Sequence, residues 1–406
     1  MRIIRYILLG IGTFLIFPPF LFTPIGFILF PLICFELDLI NKLPKKNYFF
    51  FGFTFSFGFL SLYLSWIVNP FLVFEETKNL AFLSIFLILF ISIIFGVIFY
   101  ISKILFRDLL PSFVLLPYVF IVFELIISNI LTGFPWISFS LIISNLSIGL
   151  TLIKYTGTIF TSFLVVLFFS LPYLFLITQN KTKNIFPILL APIILFTMFF
   201  CYSYFNKEIG PIKNFKIKII QLNKEINILK KNKLKIVEDK ILRAINSSDA
   251  NLIIFAENNY PYLIEKLKFP KIQSIINDNQ TVIIGGTRID NETKSYYNSL
   301  FAINNIKIKK FDKKILVPFG EFLPMRNFFS FIEQISGPQD FSNGLDNRLI
   351  KIGEELSFIP VICYEIIFYW KLINKINYDA DILINITNDK WFGSLLGPYQ
   401  HLYLTK

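Results

Sequence analysis

The run LAFLSIFLILFISIIFGVIFYI, residues 80–101, contains no charged side chain. A helix that crosses a bilayer needs about 20 consecutive residues that are mostly apolar, and this run meets that requirement by itself. The sequence therefore predicts a multi-pass α-helical membrane domain of about seven helices over residues 1–206. The other six runs lie at 4–20, 25–41, 48–68, 109–131, 156–177 and 185–204.

The composition of the whole chain agrees with a membrane protein. Hydrophobic residues make up 55% of it and charged residues 16%, whereas soluble domains hold about 45–50% and about 25%. The formal net charge is +12, but there is no block of like charge and no basic-aromatic surface, so we expect no nucleic-acid partner. The three cysteines form no CxxC pair and His401 is the single histidine, so we expect no disulfide framework, metal site or cofactor.

The lysines and arginines between the predicted helices are unevenly distributed. Cytoplasmic loops of membrane proteins carry an excess of both residue types. With seven crossings, nine of these residues fall on the side of the N-terminus and two, Lys78 and Lys154, on the other side. The N-terminus is therefore predicted in the cytoplasm, and everything after about residue 206 on the extracytoplasmic side.

From residue 215 onwards, short apolar runs rich in β-branched residues alternate with segments of helical pattern. This alternation is typical of an α/β domain with a central sheet, which we predict over residues 215–406. The predicted strands lie at 216–222, 252–258, 281–286, 296–303, 356–365 and 381–387. The predicted helices lie at 230–247 and 260–278.

Three side chains near the ends of these apolar runs are candidates for chemistry. Taken singly, Cys363 is most simply a core thiol, Glu257 a loop carboxylate and Lys313 a solvated lysine. Taken together they supply a nucleophile, a base for its proton and a cationic donor for an oxyanion. A strand-to-helix turn lowers the pKa of a thiol from about 8.5, and we expect the same at Cys363.

The order and settings of these three residues resemble the triad of the nitrilase, or carbon–nitrogen hydrolase, superfamily. Longer segments resemble signatures of the bacterial apolipoprotein N-acyltransferase family. They are TGFPW (132–136), YNS (297–299), FDKKILVPFGEFLP (311–324), VICYEI (361–366) and TNDKWFGSLLGPYQHL (387–402), together with the Gln221/Asn223 pair. The resemblance implies a nitrilase-like αββα sandwich after the membrane domain, in the bacterial inner membrane, with the catalytic domain on the periplasmic side.

The resemblance also implies a ping-pong acyl transfer. A phospholipid donates an acyl chain to Cys363 as a thioester, and the amino group of diacylglyceryl-cysteine on an apolipoprotein then accepts it. Glu257 matches the base and Lys313 the oxyanion donor. The matching supporting residues are Glu321, Tyr364 and Glu365.

Other segments allow two interpretations each. Residues 322–332 are either a lid that touches lipid or a buried core segment. Trp136 is either part of an acyl pocket or an interfacial anchor. Asn388 and Trp391 either shape the wall near the nucleophile, as possible substrate-binding residues, or pack a loop. His401 is expected to make a structural hydrogen bond.

Some features depart from the family pattern. Ala256 stands where a proline usually precedes the base, and Lys230 where an aromatic residue is common. The family continues beyond the position of Lys406 with further strands and a membrane helix, so we expect the domain over 215–406 to be partial. Two other functions stay open: a membrane-tethered nitrilase or amidase acting on a small amide, and an inactive truncated membrane scaffold.

Overall fold

The computed structural model describes residues 2–106, 109–130, 132–177, 215–222, 231–329, 333, 339–352 and 356–406. The chain divides into two compact units. The first comprises Met1–Val68, Phe82–Glu208 and Phe392–Lys406, and the second comprises Asn69–Ala81 and Ile209–Trp391. The boundary between the predicted domains 1–206 and 215–406 falls on residues that are not described, so those limits stay a prediction.

The first unit is helical. Its long helices are α1 (Arg2–Leu15), α2 (Gly26–Asn41), α3 (Lys46–Tyr63), α4 (Leu83–Leu105), α5 (Ser112–Asn129) and α6 (Ser147–Ser170). The short helix Tyr173–Ile177 and a C-terminal helix, Leu396–Leu404, also belong to it. The backbone of α6 is not helical at Gly157, which is where the predicted helix 156–177 was expected to begin.

Four helical segments among the described residues are long and apolar enough to cross a membrane. They are Thr23–Asn41, Glu75–Leu105, Ser112–Asn129 and Ser147–Leu176. The predicted helix 48–68 is a pair, Lys46–Tyr63 and Ser65–Leu72, bent by 60°. The predicted helix 4–20 ends early, at Leu15, before the Pro18–Pro19 pair. The predicted helix 185–204 lies outside the described residues.

The outward face of α4 is as apolar as its buried face. Phe95 and Phe99 are buried against neighbouring helices, while Ile85 and Phe86 are more than half exposed. A helix that is apolar all round belongs in a protein core or in lipid. Since half of α4 faces outward, its sequence suits a helix whose outer side meets acyl chains.

Small residues allow α1 and α3 to cross at short distance. A Cβ added at Gly10 would lie 2.0 Å from the carbonyl oxygen of Phe55, and one added at Gly58 would lie 2.5 Å from that of Ile7. Close backbone approach at small residues is how helices associate in lipid, where apolar burial gives no driving force.

The C-terminal helix is fixed to the first unit by one buried amide. The Oε1 atom of Gln400 accepts hydrogen bonds from the indole N–H groups of Trp66 (2.9 Å) and Trp136 (2.8 Å). Its Nε2 donates to the carbonyl oxygen of Tyr63 at 2.9 Å. His401 stacks on the Trp136 ring, with centroids 5.6 Å apart.

The second unit contains a five-stranded sheet in the order β1 (Ile217–Ile220), β2 (Leu252–Phe255), β3 (Thr281–Ile289), β4 (Tyr296–Ile303) and β5 (Ile308–Asp312). The first three strands are parallel and the last two pairings antiparallel. Helix α7 (Lys231–Asn246) joins β1 to β2 and buries Val237, Ile241 and Ile245 in the core beside this sheet.

A second sheet has three strands, β6 (Ile350–Ile352), β7 (Leu356–Ile362) and β8 (Ile382–Ile386), with β7 and β8 parallel. The prediction of a helical part followed by an α/β part is therefore confirmed, but the described residues of this unit form two sheets and not one central sheet. Strands β5 and β6 were missed because the adjacent Lys309 and Lys310 interrupt the apolar alternation of β5 and because β6 is only three residues long.

The predicted helix 260–278 is wrong. Only Pro270–Gln273 is an α-helix there. Pro261 disfavours a helical backbone at Tyr260. The backbone of this segment pairs with β3: the N–H of Tyr260 donates to the carbonyl oxygen of Gly285, and that of Ile264 to the carbonyl oxygen of Thr287.

Gly10→Ala is expected to lower the thermal stability of the protein in detergent or lipid nanodiscs, by about 1–3 kcal/mol in free energy of unfolding, because the added methyl group meets rigid backbone. Gly12→Ala is the matched control, since its methyl group meets only the end of the Leu29 side chain. Equal stability of the two variants would contradict close packing of α1 on α3.

Candidate active site

The candidate nucleophile sits at a sharp turn after β7. Cys363 is buried, has a φ of 51° and begins a 3-10 turn, Cys363–Ile367. A residue other than glycine in this left-handed region costs of order 1–3 kcal/mol and persists only where its surroundings enforce it. Such strain is typical of nucleophile turns, where the backbone fixes the direction of the reactive side chain.

The candidate base and oxyanion donor form a buried ion pair. Glu257 follows β2, Lys313 follows β5, and their Oε1 and Nζ atoms are 3.5 Å apart. Both side chains are less than a tenth exposed. Gly285 permits this arrangement, because a Cβ there would lie 2.7 Å from the Cα of Glu257.

Two further side chains complete the polar cluster. Lys313 Nζ donates to Glu321 at 3.0 Å. The Nδ2 atom of Asn298, on β4, donates to Oε1 of Glu257 at 2.8 Å and to Oε1 of Glu321 at 2.6 Å. One amide therefore orients both carboxylates, and Lys313 lies between two negative charges.

A buried carboxylate joins the turn at Cys363 to the segment after Lys313. Glu365 is fully buried, and its oxygens accept hydrogen bonds from the N–H groups of Ile362 (2.9 Å), Lys314 (2.8 Å) and Ile315 (3.1 Å). The guanidinium of Arg348 neutralises it through contacts of 2.7 and 3.1 Å.

The other predicted residues of this unit lie at various distances from the cluster. The backbone N–H of Asn388, just after β8, donates to Oε2 of Glu257 at 3.1 Å, so this loop touches the base. Tyr364 is buried with its ring 5.2 Å from that of Phe368. Trp391 packs on Phe74, with ring centroids 6.2 Å apart.

Trp136 belongs to the first unit. It is fully buried, and its indole N–H is bonded to Gln400. A buried ring of this kind does not match an interfacial anchor, and its role in an acyl pocket stays a prediction.

The predicted lid is described up to residue 329. Its side chains Met325 and Phe328 are exposed, the latter by 80%, while Leu323 is buried. Arg326 fastens the segment through Asp340 and Glu333. Two exposed apolar side chains favour the lid over a buried core segment.

The electrostatics of the cluster differ from the expectation for the thiol. Burial raises the pKa of Cys363 well above its ordinary value, and the charge of Glu257 adds to the rise, while Lys313 opposes it. The expected lowering by a helical turn is absent because the turn is one short 3-10 segment and the thiol is buried beside a carboxylate. At neutral pH the thiol is therefore protonated.

The charges of the other two residues follow from the same contacts. Burial raises the pKa of Glu257, against the effect of Lys313 and with that of Glu321. Burial acts to lower the pKa of Lys313, but the carboxylates of Glu321 and Glu257 outweigh it and raise the pKa. Lys313 therefore stays an ammonium ion, and Glu257 is a stronger proton acceptor than an exposed glutamate.

Sequence reasoning missed two residues of the site. Asn298 lies in the quoted YNS segment. Its neighbour Ser299 donates a hydrogen bond to Asp312 on the opposite face of the sheet. The alternation of side chains along β4 is therefore the pattern that could have assigned Asn298 to the site. Arg348 lies outside every quoted segment, and nothing in its local sequence indicates that it pairs with Glu365.

Comparison with known proteins finds a matching family model and several similar proteins. Residues 9–171 match the family described as apolipoprotein N-acyltransferase N-terminal domain. Over 98% of its length the chain aligns with the apolipoprotein N-acyltransferase of Rhizobium rhizogenes strain K84, at 26% identity and over 80% of that protein. The chain is therefore similar to apolipoprotein N-acyltransferases along almost its whole length.

Other apolipoprotein N-acyltransferases are more similar over shorter stretches. The protein of Rhizobium leguminosarum bv. trifolii is 35% identical over 37% of this chain, and that of Rickettsia prowazekii 34% identical over 40%. These alignments span 30% and 34% of the two relatives.

Two solved structures are also similar. One is a CN-hydrolase superfamily protein of Xanthomonas campestris (12% identity, 39% of this chain, 59% of that chain), and the other is Nit3 of Saccharomyces cerevisiae, a nitrilase superfamily member (19%, 38%, 57%). The TM-score is 0.28 for each.

Glu257→Gln is expected to speed alkylation of Cys363 by iodoacetamide at about pH 8, although it removes the candidate base. Loss of a negative charge lowers the thiol pKa, and each unit lowered raises the thiolate fraction about tenfold. Lys313→Met should slow alkylation, since it removes the opposing positive charge. Peptide mass spectrometry measures both rates, and slower alkylation of Glu257→Gln than of the unchanged protein would contradict the charge coupling.

Arg348→Leu is expected to cost about 3–5 kcal/mol in local stability, because it leaves the buried Glu365 carboxylate without its cation. Hydrogen exchange of the β7 peptide measures the effect. Arg326→Leu is the control: its ion pairs with Asp340 and Glu333 are partly exposed, and their loss should cost about 1 kcal/mol or less each. Unchanged protection of β7 in Arg348→Leu would show that Glu365 is held by backbone donors alone.

Proposed function

We propose that the chain transfers an acyl chain from a phospholipid, through a thioester on Cys363, to the N-terminal amino group of diacylglyceryl-cysteine on an apolipoprotein. The observation that carries the proposal is the strained, buried Cys363 in the same unit as the Glu257–Lys313 ion pair. Similarity to apolipoprotein N-acyltransferases suggests the substrate class.

In the first half-reaction Glu257 takes the proton of the Cys363 thiol, and the sulfur attacks the ester carbonyl carbon of the phospholipid. Lys313 stabilises the oxyanion, since the neighbouring carboxylates keep it an ammonium ion beside the base Glu257. Collapse of the intermediate breaks the ester bond. The leaving alkoxide takes the proton back from Glu257 and departs as lysophospholipid.

In the second half-reaction the amine of the acceptor attacks the thioester carbonyl carbon. Glu257 accepts a proton from the amine, Lys313 again faces the oxyanion, and the carbon–sulfur bond breaks. The proton returns to sulfur, which regenerates the neutral thiol. Such a cycle is ping-pong, because lysophospholipid leaves before the acceptor reacts.

The supporting residues have positioning roles in this scheme. Glu321 and Asn298 fix the charge pattern around Lys313 and Glu257, and Glu365 fixes the turn of Cys363. The remaining roles are assigned by the resemblance: Tyr364 beside the nucleophile, and Asn388, Trp391 and Trp136 on the path of the substrates.

The substrates also determine where the protein works. Both are held in a bilayer by their acyl chains, so an enzyme in the same bilayer reaches them without extracting them. The charge bias of the loops supports a cytoplasmic N-terminus and a catalytic domain, 215–406, on the periplasmic side of the inner membrane.

The proposal predicts an acyl adduct on Cys363. Purified protein in phospholipid vesicles without acceptor should release lysophospholipid in one burst, with at most one equivalent per chain, and mass spectrometry should find the fatty acyl group on the peptide containing Cys363. Adding a diacylglyceryl-cysteine peptide should remove the adduct and permit turnover.

The cysteine variants give the control. Cys363→Ala should lose both burst and adduct, whereas Cys34→Ala, at a buried thiol in α2, should keep them. Hydrolysis of small amides without any lysophospholipid release would favour the amidase. No adduct in any form would favour the scaffold.

A further inference from the structure

A surface loop of the second unit presents an unusual set of side chains. Residues 369–378, YWKLINKINY, form what we call the aromatic loop. All of its large apolar side chains except Leu372 are exposed, and Tyr378 is the most exposed of them, at 77%. No acidic residue lies within the loop. The exposed ones are Tyr369, Trp370, Ile373, Ile376 and Tyr378. Clustered apolar exposure of this kind marks an interaction surface.

The aromatic loop is a built structure. Asn377 is buried, and its Nδ2 donates to the carbonyl oxygens of Leu372 (2.7 Å) and Arg348 (3.0 Å), while its Oδ1 accepts the N–H of Asn374 at 2.8 Å. One polar side chain thus holds the loop closed and leaves the apolar ones outside.

The composition of the aromatic loop fits one kind of surface. Tryptophan and tyrosine concentrate where a bilayer meets water, because their rings are apolar and their N–H and O–H groups are polar. Lys371 and Lys375 lie among them, both exposed. Lysine stems lie along apolar surface while their ammonium groups reach anionic headgroups.

We propose that the aromatic loop docks the second unit on an anionic lipid surface, with its rings and isoleucines at the level of the headgroups and Lys371 and Lys375 against lipid phosphates. The same chain carries helices that are long and apolar enough to cross a membrane. These helices would hold the second unit close to a bilayer, so the effective concentration of lipid around the aromatic loop is high.

The aromatic loop is linked to the nucleophile by ring contacts. Phe368 is fully buried between Tyr364, 5.2 Å away, and Trp370, 5.6 Å away, and Lys371 lies 4.9 Å above its ring. Tyr364 is the residue after Cys363. Lipid bound at the aromatic loop would therefore contact Trp370 and Lys371, which reach the nucleophile turn through Phe368.

Spin labelling tests the proposal without any need for acyl transfer. A nitroxide is attached at Ile376→Cys in a chain whose three native cysteines are alanine, reconstituted in vesicles of phosphatidylethanolamine with phosphatidylglycerol. Collisions with oxygen, which enters bilayers, are compared with collisions with a water-soluble nickel chelate. Ile306→Cys is the matched control, an isoleucine of the same unit that is 78% exposed in the turn after β4.

Oxygen is expected to collide several-fold more often than nickel at position 376, and nickel more often at 306. The double variant Lys371→Glu/Lys375→Glu, or vesicles of phosphatidylcholine alone, should shift position 376 toward the values at 306. Equal accessibility of both positions to nickel would overturn the proposal. Shielding of 376 from both reagents together with dipolar broadening would also overturn it, in favour of a second copy of the chain.

Discussion

The buried carboxylate of Glu365 is the contact on which the candidate site depends. It binds the last N–H of β7 and two N–H groups of the segment after Lys313, so one side chain connects the nucleophile turn to the strand end that carries the cation. These groups come from separate sheets, β7 in one and β5 in the other. Arg348 makes burial of the charge tolerable, since an unpaired carboxylate there costs several kcal/mol.

The consequence is a site whose charged groups are already in contact with one another before any substrate arrives. Lys313 lies between Glu257 and Glu321, and Asn298 holds both carboxylates in place. The ammonium therefore keeps its proton, while the buried thiol keeps its own because thiolate is disfavoured beside Glu257. Reactivity then depends on transfer of the proton to Glu257 as the sulfur attacks, and a standing thiolate is not needed.

Local sequence patterns predicted the parts of the fold that depend on local chemistry. Apolar runs marked the helices, and β-branched runs marked the strands β2 and β7, which end just before Glu257 and Cys363. Patterns failed where a distant partner decides: the segment after Pro261 pairs with β3, and Arg348 acquires its role from Glu365, 17 positions away. The thiol pKa was misjudged for the same reason, because burial and a neighbouring carboxylate depend on tertiary packing.

Burial of the nucleophile has a further meaning for the proposed transfer. Water can hydrolyse a thioester. Each hydrolysis releases the acyl group as a fatty acid before the amine can accept it, so that turnover is lost. Cys363 is 6% exposed, and the exclusion of water from such a position suppresses that side reaction. The same burial raises the thiol pKa, so protection of the intermediate and the need for a nearby base arise from one structural cause.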